Sequence, residues 1–368
     1  MALLETLFLA LCILLLSTDA YQNLSDATLE TLSRPGPDFN IHNGAILAPL
    51  LQPRVPGTPG SEAAREHIIQ FLNSQLPQWT TELQISSTRT SISGNKSTPM
   101  VNVIAYRDPP GANPTNVGRL TLVAHYDSLH EPEGFIGAMD SAAPCGIIMH
   151  AARSIDPALT QKWNEIRSES ASTDSLYGIQ VIFTDGEEGF ADTLIAYDGL
   201  YGSRSLAAHW AVDKYPSPSK YESRLLSISL FVLLDLLGAK DPQIGSYYPV
   251  THSDYQRLAT LEQRLRALGQ LVSTMTNDSS WFIDRNTEAR NLTRYPVEDD
   301  QVPFSALGVE VLHLIDTEPG TGEFPKVWHT LEDDGEHLDL DTVEDWGLLI
   351  TAFVAEWLEL EGYVGKSD

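Results

Sequence analysis

The sequence predicts a single α/β domain with a mainly parallel, mixed central sheet flanked by helices on both faces. Three observations carry this. Short β-branched and aromatic runs alternate with helical stretches through most of the chain. No internal repeat and no mid-chain linker divides it. The acidic and histidine residues with a chemical look fall between Asp140 and His329, at the apparent ends of different strands, so they need one common sheet. The 368 residues allow one large or two ordinary domains, and the third observation favours one.

The chain opens on an apolar block at residues 3–16, followed by small residues at Thr18 and Ala20. This is the pattern of a secretory signal peptide spanning 1–20, although Glu5 stands where a basic residue is usual. A retained anchor is the alternative, but the block is short for a membrane span. Cleavage would remove Cys12 and leave Cys145 as the one cysteine, so no intramolecular disulfide is expected. Four glycosylation sequons begin at Asn23, Asn95, Asn277 and Asn291. Together these features predict a secreted or lumenal glycoprotein with no stable membrane association after cleavage. The formal charge of −27 and pI near 4.6 exclude nucleic acid as a partner, because phosphate binding needs a basic surface.

Residues 21–56 lack periodicity and are rich in turn-forming Pro and Gly, which predicts an arm lying on the surface. The catalytic domain is expected over 57–365. Thr58 or Ser61 can cap a helix whose apolar face is Ile68, Ile69 and Leu72. Residues 79–88 and 100–106 alternate and read as strands, with a polar, hairpin-like or surface connection over 91–99 between them. Residues 119–125 form a buried strand that ends in His125-Tyr126-Asp127. Asp140 stands near the start of a helix running to about residue 153, and 156–168 read as a further helical stretch. Residues 181–190 are a strand whose turn carries Glu187 and Glu188. A helix over 200–210 follows. The most apolar run of the mature chain, 225–236, embeds one carboxylate, Asp235, which must be paired or bound to a metal. Residues 254–271 are an amphipathic helix, and 277–296 a polar, aromatic loop that shapes the site. A strand over 309–315 reaches His313; His329 leads out of the next loop, and 341–360 form the closing helix.

Two adjacent carboxylates on an extended chain point different ways, so Glu187 and Glu188 can take different jobs: one on a metal, one moving protons. A solvated acidic turn is the plainer reading. A catalytic zinc site wants three N/O ligands and an open position. An Asp, a Glu and a His from three strand ends meet that need. No His-Glu-x-x-His, Gly-x-Ser-x-Gly or Gly-rich phosphate loop occurs. Cys145, after Pro144 among small apolar residues, reads as an inert core thiol. The plainer readings are a buried structural carboxylate for Asp235, a satisfied core histidine for His313, and core aromatics for Trp328 and Phe324.

Six blocks in order resemble the animal-type glutaminyl-peptide cyclotransferases, within the zinc aminopeptidase-like superfamily. They are Gly137-Ala-Met-Asp-Ser-Ala-Ala-Pro-Cys145, Asp185-Gly-Glu-Glu-Gly-Phe190, Leu200-Tyr-Gly-Ser-Arg204, Leu233-Leu-Asp-Leu-Leu-Gly-Ala239, Asp299-Asp-Gln-Val-Pro-Phe304 and Phe324-Pro-Lys-Val-Trp-His-Thr330. The resemblance runs from about residue 54 to 360 and implies a zinc exopeptidase-like fold. It implies one Zn²⁺ per chain, held by Asp140, Glu188 and His329. It implies Glu187 as proton shuttle, Asp235 and Asp299 as a hydrogen-bonded acidic pair, and Trp328, His313 and Phe324 as substrate-binding residues. The implied reaction turns the N-terminal glutamine of peptides and proteins into pyroglutamate and releases ammonia, with zinc polarising the γ-carbonyl.

Two departures stand out. The family's tryptophan shortly after the Glu-Glu pair is absent from Phe190-Ala-Asp-Thr-Leu, and the cysteine that would pair with Cys145 is replaced by Ala124. His125 and Asp127 match the His-x-Asp that serves a second metal in two-zinc aminopeptidases, so hydrolysis of N-terminal residues is the alternative activity.

Overall fold

The computed structural model describes residues 22–168, 177–190, 198–275, 280–318 and 321–365. The expected signal peptide, Asn277 and the residues directly after Phe190 lie outside this set.

Helix α1 (Pro59–Gln75) starts where the sequence provides a cap: the Thr58 hydroxyl accepts the N–H of Ser61 at 3.4 Å, and a proline opens the first turn. Ser61, the other candidate cap, is buried. The first two strands, β1 (Thr80–Thr88) and β2 (Thr98–Arg107), form an antiparallel hairpin. Strand β3 (Arg119–His125) is buried on both faces and needs no alternation. Helix α2 (Ala143–Ser168) is one continuous element where two helical stretches were expected, and it carries Pro157 inside it. Strand β4 (Gly178–Thr184), helix α3 (Tyr201–Val212) and strand β5 (Ile228–Asp235) follow. The two-residue β6 (Gln243–Ile244), helix α4 (His252–Ala267), strand β7 (Val311–Thr317) and helix α5 (Leu340–Trp357) complete the order.

The seven strands lie in the order β1-β2-β4-β3-β5-β7-β6. The centre, β4-β3-β5-β7, is parallel, and both margins are antiparallel. The chain steps from β3 to β4 on one side, then to β5 on the other. The crevice at the carboxyl ends beside β3 is therefore a topological switch point, where α/β sheets place their ligands. A large core joins one face of the sheet to α1, α2, α4 and α5. A smaller one, with Leu206, Ala207 and Trp210 of α3, covers the other.

The expected surface arm is instead part of the main core. Leu24, Leu29, Phe39, Ile46, Leu47 and Leu50 are all buried, and they pack into the larger cluster. Their burial comes from turns and very short helices rather than from a helix or strand, so it leaves no period in the sequence. The N–H of Leu24 donates to the Glu356 carboxylate at 2.9 Å, and Ser25 and Thr28 donate to Glu361. This segment is thus sewn to the end of α5. At its far end Arg54 is fully buried without a carboxylate in its hydrogen-bond set. Its guanidinium donates instead to the carbonyls of Leu50, Gln52, Tyr126, Asp127, Ile136 and Gly137.

Candidate active site

Four of the sequence-selected acids arrive at the carboxyl ends of β3, β4 and β5. Past β4 the chain turns at Gly186, whose φ of +73° and distance of 2.6 Å from a would-be Cβ to Met100 Sδ leave room only for glycine. That turn brings Glu187 and Glu188 to the lip. Both of their main-chain N–H groups donate to Asp127, each at 3.2 Å. Asp140 stands in the segment Ala138–Ala142 that leads into α2, where its own backbone, with φ −115° and ψ 77°, is not helical. Asp333 secures this turn by accepting the N–H of Met139 at 2.7 Å. Asp235 is the last residue of β5.

Asp140, Glu188 and His329 offer ligand-type atoms close to one another. His329 Nε2 lies 3.6 Å from Asp140 Oδ2 and 3.5 Å from Glu188 Oε2. These gaps are too long for hydrogen bonds. They suit a tetrahedral cation, whose bonds of about 2.0–2.1 Å set its ligands about 3.3–3.4 Å apart. Glu188 Oε1 is buried with no hydrogen-bond partner. Burial, followed by the Asp140 charge, pushes Glu188 up to about 8, against the pull of His329. A cation would relieve both strains, so the residues present fit a zinc ion.

His125 forms a second cluster with Asp140 and Asp235. Its Nε2 lies 2.9 Å from Asp140 Oδ1 and 3.5 Å from Asp235 Oδ1, and its Nδ1 is 3.5 Å from Asp127. Burial pushes this imidazole down, but the carboxylates of Asp127, Asp140 and Asp235 around it outweigh that and hold it well above the histidine range. Asp235 also accepts the Ser141 hydroxyl.

Glu187 is half-buried in the wall of a cleft of about 620 Å³, together with Asp140, Glu188, Asp235, Asp299 and His329. Burial, with the charge of Asp299 next, raises its pKa well above the carboxylate range. Trp328 and Phe324 form another wall; their rings are 4.6 Å apart, and Trp328 stacks on His329 at 3.8 Å. His313 is not in that wall. It sits buried inside β7, and its Nε2 contacts Asp299 Oδ2 at 2.9 Å. Asp299 contacts His313 and accepts the N–H of Asp300, while Asp235 accepts the Ser141 hydroxyl, so each carboxyl also has its own support. Their pKa values still split. Burial and the Asp235 charge raise Asp299. Burial also pushes Asp235 up, but the His125 contact overrides it and holds Asp235 below the usual range.

Three residues escaped the sequence reading as parts of this apparatus. Ser141 is hidden among small helix-start residues, Asp333 lies in an acidic loop, and Arg54 lies in the irregular arm. Only Arg54 gave a signal, as a long cation between apolar and turn residues.

The sheet order and the acid–histidine cluster at its switch point define a zinc exopeptidase-like scaffold, and the sequence pattern of peptidase family M28 matches residues 102–354. A glutaminyl-peptide cyclotransferase of Boiga irregularis is 36% identical over 319 residues, covering 85% of this chain and 80% of that one. The structure resembles the crystal structure of Macrostomum lignano glutaminyl cyclase, with a TM-score of 0.73, 28% identity and coverage of 94% and 97% of the two chains. A Zn-dependent exopeptidase from Parabacteroides distasonis shares the fold at 19% identity, with a TM-score of 0.58 and coverage of 90% and 98%. The chain belongs to peptidase family M28 and, within it, to the glutaminyl-peptide cyclotransferases, which are enzymes.

Proposed function

We propose that this enzyme cyclises the N-terminal glutamine of peptides and proteins to pyroglutamate with release of ammonia, using one zinc ion held by Asp140, Glu188 and His329. The observation that carries the reading is the union of that ligand set with a protonatable Glu187 in one cleft. Zinc there supplies a Lewis acid for the γ-carbonyl oxygen.

The protein's own residues do the rest. The α-amine is tethered to its electrophile, so binding the glutamine in a bent form removes most of the entropic cost of attack. Glu187 as carboxylate takes a proton from the attacking amine and returns it to the amide nitrogen, which leaves only when protonated. The pair Asp235 and Asp299, the first held below the usual carboxylate range and the second raised by burial and by its partner's charge, stands in the cleft wall, suited to holding the amide group. His313 keeps Asp299 in place, and Trp328 supplies an indole donor and an apolar face.

The second reading is a two-zinc aminopeptidase, favoured by the cluster of His125, Asp140 and Asp235. The spacing supports one ion. His125 Nε2 and Asp140 Oδ1 are 2.9 Å apart, a hydrogen-bond length, shorter than two ligands on one tetrahedral ion would adopt. Entry into the secretory pathway is part of the proposal. Asn23, Asn95 and Asn291 are all exposed and open to glycosylation. No helix among the described residues is long and apolar enough to cross a membrane.

The test is mass spectrometry of a Gln-initiated peptide after incubation with protein of measured zinc content. The expected product has lost one ammonia, at one zinc per chain. Release of the first residue as a free amino acid, with two metals bound, would overturn the reading.

A further inference from the structure

Strand β1 ends the sheet, and no strand among the described residues pairs with its outer side. The opposite margin is guarded: β6 has only two residues, and its Ile244 bridges to Phe282. β1 has none of the usual edge protection. It contains no Lys, Pro or Gly, and its register with β2 runs from Thr80 to Thr88 without a bulge. Leu83 is 46% exposed and Ile85 68%, two apolar side chains on one face.

The main chain shows which groups look outward. Ile85 stands opposite Val101 of β2. The Val101 N–H donates to Asp185 and its carbonyl accepts the Tyr126 hydroxyl, so both point away from β1. Ile85 and Val101 are therefore a non-hydrogen-bonded pair, and the N–H and C=O of Ile85 face the open edge. The ladder alternates, so Thr81, Leu83 and Ser87 face it as well. Opposite Ser87 stands Pro99, which has no N–H to give.

We propose that this edge pairs antiparallel with β1 of a second copy of the chain, about a two-fold axis between the two Gln84 residues. The strand is nearly symmetric about that position. Leu83 falls opposite the partner's Ile85, Thr81 opposite the partner's Ser87, and Thr80 opposite the partner's Thr88. The first two pairings join residues whose N–H and C=O both face the edge, so main-chain bonds and apolar contact form in the same register. A slip of one residue sets outward groups against inward ones. A slip of two pairs Leu83 with itself and Ile85 with Thr81, or Ile85 with itself and Leu83 with Ser87. Charge agrees with the register. Glu82, the one charged residue of β1, is bound to Arg224 at 2.7 Å and falls opposite the partner's Ser86, so no like charges meet. A two-fold contact of this kind closes on itself and gives a dimer. The inference is independent of the cyclase reading.

The experiment is analytical ultracentrifugation of the chain from residue 21 at micromolar concentration. It is run at about 0.15 M salt, where the repulsion between two chains of charge −27 is screened beyond about 8 Å. The expected species has twice the chain mass. Ile85→Lys is expected to raise its dissociation constant roughly ten- to a hundredfold, with an unchanged circular dichroism spectrum because the side chain stands in solvent. Cysteines read the register. Gln84→Cys sets its two Cα atoms about 4.5 Å apart, within disulfide reach, and cross-links on oxidation. Ser86→Cys leaves them roughly 14 Å apart and does not. A wild type that stays monomeric overturns the proposal and leaves the edge to an extended peptide from another protein. A dimer indifferent to Ile85→Lys, no cross-link in Gln84→Cys, or equal cross-linking by both cysteines overturns it too.

Discussion

Asp127 accepts the main-chain N–H groups of Glu187 and Glu188 together and stands 3.5 Å from His125, so one buried carboxylate orients both glutamates and the histidine beside them. The two glutamates then differ by what their side chains meet. Glu188 faces Asp140 and His329, while Glu187 faces the open cleft and Asp299. Replacing Glu187 with Gln removes the proposed proton carrier and keeps the shape. The variant is expected to bind zinc at the wild-type stoichiometry and to lose turnover by roughly 10²- to 10⁴-fold, as read by metal analysis alongside an ammonia-release assay. Full activity in that variant would remove the shuttle assignment. Most of these side chains were legible in the sequence because strand ends and embedded charges announce themselves. Asp235 in its apolar run is the clearest instance. The role of His313 was not legible, since a histidine inside a strand looks alike whether it lines a pocket or backs a carboxylate. Cys145 matches its reading as an inert thiol: it is buried, and burial pushes it up to about 12.

At the scale of elements, the segment from residue 22 to Arg54 does more than the sequence suggested. It fills part of the main core and ends in a guanidinium that holds the carbonyls of Tyr126, Asp127, Ile136 and Gly137. Those carbonyls belong to the two loops that carry Asp127 and lead to Asp140. Arg54→Met would keep the bulk and strip the donors, leaving buried carbonyls unpaired. The expected loss is about 3 kcal/mol or more in urea denaturation, together with weaker zinc retention in chelator competition. Wild-type stability in Arg54→Met would show that these carbonyls find other donors. The segment was misread for a physical reason. Apolar periodicity reports helices and strands, and here the burial comes from turns whose spacing has no period.

For the whole molecule, alternation of strands and helices was enough to predict one sheet covered on both faces. The mixed sheet was legible too, and the hairpin-like connection expected after the first strand is the antiparallel β1–β2 pair; the other antiparallel margin, β6, was not legible because two residues leave no period. Stability against acid is also a property of the assembled core. His150 on α2 is buried against the N-terminal segment, where its Nε2 meets the Ser33 carbonyl at 3.0 Å. Burial lowers its pKa from 6.5 to about 4, so the folded protein keeps it neutral while the unfolded chain protonates it. The unfolded state therefore binds more protons as pH falls. This contribution is full above about 6.5 and is lost as pH drops toward about 4. His150→Gln is expected to lose about 2–3 kcal/mol less stability than wild type across that window, measured as the difference between denaturation curves at its two ends. Equal losses in the two proteins would place the acid sensitivity elsewhere.

The seam between residues 24–28 and the end of α5 has one more consequence. Leu24, Ser25 and Thr28 bond to Glu356 and Glu361, so both ends of the folded domain emerge at one spot. A few added residues could join them, and the chain could be opened at a surface turn without moving a strand. The order in which the ribosome delivers these elements is therefore separable from the order in which they pack. The cleft, lined by residues from Asp140 to His329, lies between these two joined ends of the chain rather than along a line with two loose ends.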